Sequence, residues 1–210
     1  MPRILTPTAI NDFREGLCDA AAQLFSEVGY EGFHMRELGK RFGVSAMTPY
    51  RYFRDKNEIL DMLRTRAFSR LADRLEIARA RSSNTTDRGA ALGRAYVQFA
   101  REEHIYYRLM FDLSQAGNQH FTPAHPPEMR VRSIMTAHAR SLLSSKASNQ
   151  ECELIGLMLW AGLHGAVSFQ LSGRLGDVEA ERMESEVVRV LASASKWQLE
   201  SVPFKLHSVA

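Results

Sequence analysis

From Gly43 to Lys56 the chain reads Gly-Val-Ser-Ala-Met-Thr-Pro-Tyr-Arg-Tyr-Phe-Arg-Asp-Lys. Thr48, Tyr50, Arg51 and Tyr52 bring hydroxyls, aromatic rings and a guanidinium into one short stretch, and such groups meet base edges and phosphates. Lys40, Arg41, Arg54 and Lys56 cluster around them and can neutralise a phosphate backbone. Lys56 falls on the first turn of the following helix, where free backbone N–H groups also favour an anion. Asp55 and Glu58 beside it read as capping residues whose charge slightly weakens the attraction. The chemistry indicated is the holding of a polyanion. Arrangements that make and break bonds are missing: the chain has no G-x-S-x-G, no G-x-x-x-x-G-K-S/T and no H-E-x-x-H. His120 and His125 sit in a proline-rich stretch without acidic partners at useful spacing and read as solvated. Cys18 and Cys152 lack metal-ligand spacing and fall in apolar helical patterns, so they read as small core residues. No enzyme activity, cofactor or metal is expected.

The elements that must present these residues are helical throughout, because apolar residues recur at helical spacing and no alternating β-branched run occurs. Thr6-Pro7 reads as an N-cap with proline in the first turn. Ile10, Phe13, Leu17, Ala21, Leu24 and Val28 then form one stripe, stopped at Gly29. Short helices are expected over about Met35–Phe42 and Ala46–Phe53, the second capped by Ser45. Glycine and serine at 43–45 permit the tight connection of a helix-turn-helix, whose second helix lies in the major groove while the first braces it. Phe53 is expected in the core. The same spacing also suits apolar helix pairs that never touch nucleic acid.

Asp55 to Glu58 matches a capping box that opens a long helix carrying Ile59, Leu63, Ala67, Leu71 and Leu75. After a break at 82–86, helices are expected over about Asp87–Glu103, Ile105–Leu113 and Glu128–Leu143. The stretch Ser114–Pro127 is the longest loop. Ser148 to Glu151 is a second capping box, and the last helix starts near Asp177 and stops before Pro203. The sum is an all-α chain of about nine helices without an internal repeat.

An apolar fraction of 45% with 24% charged residues is that of a folded, soluble chain. A net charge of only +3 means that any affinity for nucleic acid must come from a local patch. The N-terminus lacks a sustained apolar core of the secretory type, and a reducing cytoplasm is the expected setting. Leu154–Leu171 has the length of a membrane span, but His164, Ser168, Gln170 and its glycines favour burial between helices, so no membrane partner is expected.

The order and spacing of several residues carry a resemblance: Ala21-x-x-Leu24-Phe25-x-x-x-Gly29-Tyr30, Arg36-Glu37-Leu38, Gly43-Val44-Ser45, and Tyr50-x-Tyr52-Phe53-x-x-Lys56-x-x-Ile59-Leu60. Over Phe13 to Leu63 the chain resembles the DNA-binding domain of TetR-type transcriptional regulators. The resemblance implies that Thr48, Tyr50, Arg51, Tyr52 and Lys56 lie at the DNA surface. With their neighbours, the expected DNA-binding set is His34, Lys40, Ser45, Ala46, Met47, Thr48, Tyr50, Arg51, Tyr52 and Lys56. The sequence departs from the family's pattern at His34, where Thr or Ser usually caps the bracing helix and contacts phosphate. It also departs at Gly39 and Phe42, which usually hold alanine, and at Pro49.

Farther on, Trp160-Ala161-Gly162-Leu163-His164-Gly165 follows Tyr96-x-x-Phe99-Ala100 and Tyr107-Arg108-Leu109-Met110-Phe111. Together these resemble the WHG-type C-terminal domain carried by some TetR-like regulators. That resemblance implies a lobe that binds a small ligand and dimerises. Tyr96, Phe99, Tyr107, Met110, Phe111, Trp160 and His164 can line an aromatic pocket or fill the core. A helix apolar on nearly all sides must be covered on nearly all sides. Gly162 and Gly165, with Met183, Val187, Val190, Leu191 and Ala194 of the last helix, are the expected dimer interface; burial within one subunit is the alternative. The expected domains are residues 8–64 for DNA binding and 65–202 for ligand binding and dimerisation, with 203–210 as a tail. The expected function is a ligand-responsive repressor, a homodimer on double-stranded operator DNA, released by a small-molecule effector.

Overall fold

The computed structural model describes residues 6–111, 126–143, 145–174 and 176–193. Its elements are α1 (Pro7–Gly32), α2 (Met35–Arg41), a single 3-10 turn (Pro49–Arg51), α3 (Lys56–Ala80), α4 (Thr85–Glu102), α5 (His104–Met110), α6 (Pro126–Leu142), α7 (Asn149–Leu171) and α8 (Asp177–Ser193). The described residues are all-helical, with no strand among them.

The helix ends follow the capping chemistry of the sequence. Thr6 accepts a hydrogen bond from the Ala9 N–H at 3.2 Å, with Pro7 in the first turn. At Gly29 the chain takes φ 68°, ψ −177°, a left-handed geometry that interrupts α1 before its last turn. The second capping box forms in both directions, with Glu151 N–H donating to Ser148 Oγ and Ser148 N–H to the Glu151 carboxylate. The first is shifted: Asp55 Oδ1 accepts from the Asn57 and Glu58 N–H groups, but Glu58 accepts from Arg54, one residue further back. These backbone donors hold the Asp55 carboxyl below the usual carboxylate range.

Some boundaries differ from expectation. Asn84 caps α4 through the Asp87 N–H at 2.9 Å, so that helix begins at Thr85. Pro126 and Pro127 belong to the first turn of α6, where a missing N–H costs nothing. The rest of the expected loop, with His120 and His125, lies outside the described residues.

By its contacts the chain divides into two units. The first comprises residues 1–77 and 95–131. Its core joins Leu17, Ala21 and Phe25 of α1, Leu38 of α2, Ile59 and Leu63 of α3, Leu109 of α5, and Phe53 from the segment before α3. Burying each of the leucine, isoleucine and phenylalanine side chains contributes about 1.5–3 kcal/mol. Phe25 and Phe33 stack at 3.8 Å between centroids. Cys18 is buried there, its Sγ 3.6 Å from the Met62 sulfur, and burial pushes its thiol up to about 11. Around this core, Tyr106 of α5 donates to Asp19 of α1 at 2.8 Å, and Arg66 of α3 reaches Asp19 at 2.9 Å.

The second unit comprises residues 78–94 and 132–210. Gly156 of α7 lies against α6 so closely that a Cβ there would fall 2.8 Å from the Thr136 nitrogen. Ala139, Ile155 and Leu159 fill that contact. His138 of α6 is buried against Gly89 of α4, where a Cβ would fall 2.9 Å from its Nε2. Burial, with the nearby Arg88 guanidinium, holds the His138 imidazole below its ordinary pKa. α7 is long and apolar enough to cross a membrane by length and composition, and Cys152, Ile155, Leu159, Leu163 and Val167 bury one of its faces.

Candidate nucleic-acid interface

α2 is a seven-residue brace whose Met35 and Leu38 are buried. His34 stands at its N-cap with extended backbone and makes no side-chain cap bond. Its carbonyl accepts from Glu37 and Leu38, which leaves the exposed imidazole uncommitted to the helix end. The brace closes at Gly43, φ 76°, and the Val44 N–H returns to Gly39 O at 2.9 Å.

The segment that follows is shorter than an α-helix over Ala46–Phe53. Only Pro49–Arg51 is helical, as one 3-10 turn. Thr48 N–H donates to Ser45 O at 2.8 Å, Arg51 to Thr48 O at 3.0 Å and Tyr52 to Pro49 O at 3.0 Å, all three residues apart. Proline explains this. An α-helix starting at Ser45 needs the N–H of residue 49 as donor to Ser45 O, and Pro49 has none. The Phe53 N–H closes the segment on Pro49 O at 2.9 Å, and Phe53 itself is buried in the core as expected.

What this turn holds outward is specific. Met47 is 57% exposed and Tyr50 44%, so both side chains stand out from the turn. Arg51 is exposed and carries no ion pair among the described residues. Ser45 is exposed, its Oγ accepting from the Met47 N–H at 3.3 Å, while Ala46 and Thr48 are half-buried. Tyr52 is half-buried and its ring lies 4.7 Å from that of Phe13, so most of it packs on α1. Phe13 also meets Phe42 edge-on at 5.1 Å, and Phe42 fits because Gly16 of α1 leaves room for its ring.

The cations differ in their freedom. Lys40 is well exposed and only loosely paired, 3.3 Å from Glu37. Arg54 is 81% exposed at its side chain and 3.4 Å from Asp55. Arg41, by contrast, is gripped by both Glu27 oxygens at 2.7 and 2.6 Å. That bidentate bond draws the Glu27 carboxyl below the usual range and raises the guanidinium. Lys56 is half-buried, donating to Tyr30 O at 2.9 Å with its Nζ 3.8 Å from the Tyr30 ring centre. Arg36, exposed on α2 beside His34, is a further cation; in the sequence it stands within the Arg36-Glu37-Leu38 run of the resemblance but not in the expected DNA-binding set.

The remaining expected site residues fall elsewhere. Tyr96, Phe99, Tyr107 and Met110 are buried and Phe111 half-buried, all in the first unit, with the Tyr96 and Tyr107 hydroxyls 3.1 Å apart. Trp160 is buried and His164 half-buried in the second; Ser168 Oγ lies 3.3 Å from His164 Nε2, and burial lowers the imidazole's pKa. None of these lines the groove of about 390 Å3 in the first unit, whose walls include Asp19, Arg70, Glu103 and Tyr106. Among the described residues no three His, Cys, Asp or Glu side chains gather as a metal site.

Gly162 and Gly165 are half-buried, and open space surrounds the position of a Cβ on Gly165. Met183 and Val187 are half-buried; the side chains of Val190 and Leu191, and all of Ala194, lie outside the described residues. α7 also exposes Leu154, Leu157, Met158 and Phe169. The sequence could not single these out, because a helix apolar all round does not declare which face its own subunit covers.

Comparison with known proteins matches residues 17–63 to "Bacterial regulatory proteins, tetR family" and residues 90–193 to "Tetracyclin repressor-like, C-terminal domain". No curated protein matches. Among solved structures, a protein of unknown function from Rhodococcus sp. RHA1 is 24% identical with a TM-score of 0.68, covering 92% of this chain and 98% of its own. A TetR-like transcriptional regulator from the same organism is 19% identical, TM-score 0.63, covering 90% and 98%. The TetR family transcriptional regulator PfmR from Thermus thermophilus is 18% identical, TM-score 0.62, covering 84% and 97%. At these identities the structures share the fold, while the two sequence matches span both the helix-turn-helix and the helical region beyond it. The chain belongs to the TetR family of DNA-binding transcriptional regulators.

Proposed function

We propose that the protein is a repressor that binds a palindromic operator as a homodimer and is released by a small molecule held in its C-terminal part. The observation that carries the reading is the outward presentation of Met47, Tyr50 and Arg51 on a turn anchored by buried Pro49 and Phe53. Lys40 and Arg54 stand near that turn in sequence as exposed cations, and His34 is exposed with an imidazole that makes no cap bond. Thr48, Tyr50 and Arg51 read base edges, with Ser45, Ala46 and Met47 against the groove wall. Lys40, His34 and Lys56 serve phosphates, and Tyr52 contributes its hydroxyl while its ring braces the turn on Phe13.

The homodimer reading draws on the exposed apolar stripe of α7, which a second copy's α7 and α8 would cover around Gly162, Gly165, Met183 and Val187. Two reading turns would then enter successive major grooves about 34–36 Å apart. Residues 8–64 form the DNA-binding part and 65–202 the regulatory part in this proposal, in a cytoplasmic protein. The effector acts by preferring the arrangement that does not fit DNA.

The test is selection of bound duplexes from a genomic fragment pool by the purified chain, followed by titration at several salt concentrations. A palindromic consensus bound with a steep salt dependence is expected. Binding that is absent, or indifferent to sequence, would overturn the proposal.

A further inference from the structure

Two of the positions at which this chain departs from its family's pattern touch each other. Gly39 on the brace is buried, and a Cβ built there would fall 2.8 Å from Ser45 O, 3.0 Å from Ala46 Cα and 3.2 Å from Pro49 Cδ. The first two are backbone atoms of the reading segment, which cannot swing aside as a flexible side-chain tip can. Pro49 is buried on the other side of the same contact.

The chemistry links the two residues. A proline ring crowds the carbonyl four residues before it and offers that carbonyl no N–H. Ser45 O therefore bonds the Thr48 N–H at 2.8 Å instead and lies over the brace, on the spot a side chain at 39 would occupy. Only glycine leaves that spot empty.

We propose that Gly39 and Pro49 are a coupled pair of positioning residues that set which bases the turn reads. Pro49 winds the segment into a 3-10 turn and turns Ser45 O inward; Gly39 receives it. Together they fix the height and rotation at which Thr48, Tyr50 and Arg51 stand above α2. Neither of the pair touches DNA. Their effect falls on base preference, while the phosphate contacts made by exposed cations outside the turn are left in place. The inference rests on the DNA-binding reading above.

The experiment is a double-mutant cycle on the full chain: wild type, Gly39→Ala, Pro49→Ala and the double variant, each put through selection from a randomised duplex pool and titration on the wild-type site. Gly39→Ala must displace Ser45 and Ala46, and the expected loss on the wild-type site is about tenfold or more, the scale of one base contact. Its salt slope should stay within about one phosphate contact of wild type. Pro49→Ala restores a donor for Ser45 O and should shift the selected consensus. In the double variant Ser45 O can turn back toward residue 49, so the two losses should not add.

A wild type that selects no site defeats the DNA-binding reading itself. A wild type that selects a site, with Gly39→Ala choosing the same consensus at the same affinity, defeats the coupling alone, as do losses that add. If Gly39→Ala fails to fold, circular dichroism of the double variant decides: recovery by Pro49→Ala supports the pair, and no recovery overturns it.

Discussion

Lys56 offers a prediction with two independent readouts, because the structure gives it a partner inside the protein as well as a proposed one outside. Its Nζ donates to Tyr30 O and lies over the Tyr30 ring. A hydrogen bond from a charged donor contributes about 1.5–3 kcal/mol in a buried setting, and Lys56 is only half-buried, so about 1 kcal/mol is appropriate. The cation over the ring adds about 0.5–1 kcal/mol. Lys56→Ala should therefore lower stability by about 1.5–2 kcal/mol, or roughly 3–8 °C in Tm for a chain of this size. If the same ammonium also neutralises a phosphate, the slope of log K against log salt should flatten by about 0.9. Lys56→Gln separates the two: it keeps a donor within reach of Tyr30 O but carries no charge, so it should recover part of the stability and none of the slope. Differential scanning calorimetry and fluorescence anisotropy at four or more salt concentrations give the numbers. An unchanged Tm in Lys56→Ala would refute the Tyr30 contact, and an unchanged slope would remove Lys56 from the phosphate set.

Tyr50→Ala and Thr48→Ala should each weaken operator binding by about 1–3 kcal/mol with unchanged helical circular dichroism; full retention of affinity by both would misplace the reading turn. Phe169→Glu, on the exposed face of α7, should shift sedimentation toward monomer, and an unchanged coefficient would put the interface elsewhere. His138 is held neutral by burial and by Arg88, while in the unfolded chain it takes up a proton near 6.5. Stability should thus fall as pH drops from about 6.5 toward the lowered native value, because the unfolded state binds the extra proton. Urea midpoints at pH 7.5 and 5.5 should draw closer together in His138→Gln, and an unaltered gap would show that other groups dominate.

Much of the frame was legible because it depends on neighbours in sequence. Thr6 with Pro7, Ser148 with Glu151 and Gly43 in its left-handed turn each announce an end within four residues of themselves. The features that were not legible depend on residues far along the chain. Arg41 looks like a phosphate cation until Glu27, fourteen residues earlier, is brought against it. Pro49 falls within the helix expected over Ala46–Phe53, which its missing N–H cuts to a single turn, but that Gly39 receives the displaced Ser45 carbonyl shows only once the two segments are packed. Tyr52 reads as a surface ring until Phe13 is placed beneath it. For α7, uniform apolarity conceals the covered side, which is declared by the backbone contact at Gly156 rather than by any period.

The kink at Gly29 has a reach beyond α1. By turning the last helical turn aside, it sets Tyr30 where the first turn of α3 can hold it twice, the phenol by Asn57 at 2.6 Å and the carbonyl by Lys56. Brace and reading turn are thereby strung between two knotted ends, like a short bridge fixed to both banks. A span tied in this way has little slack to surrender when it settles on a duplex, so less of its contact energy is spent on ordering.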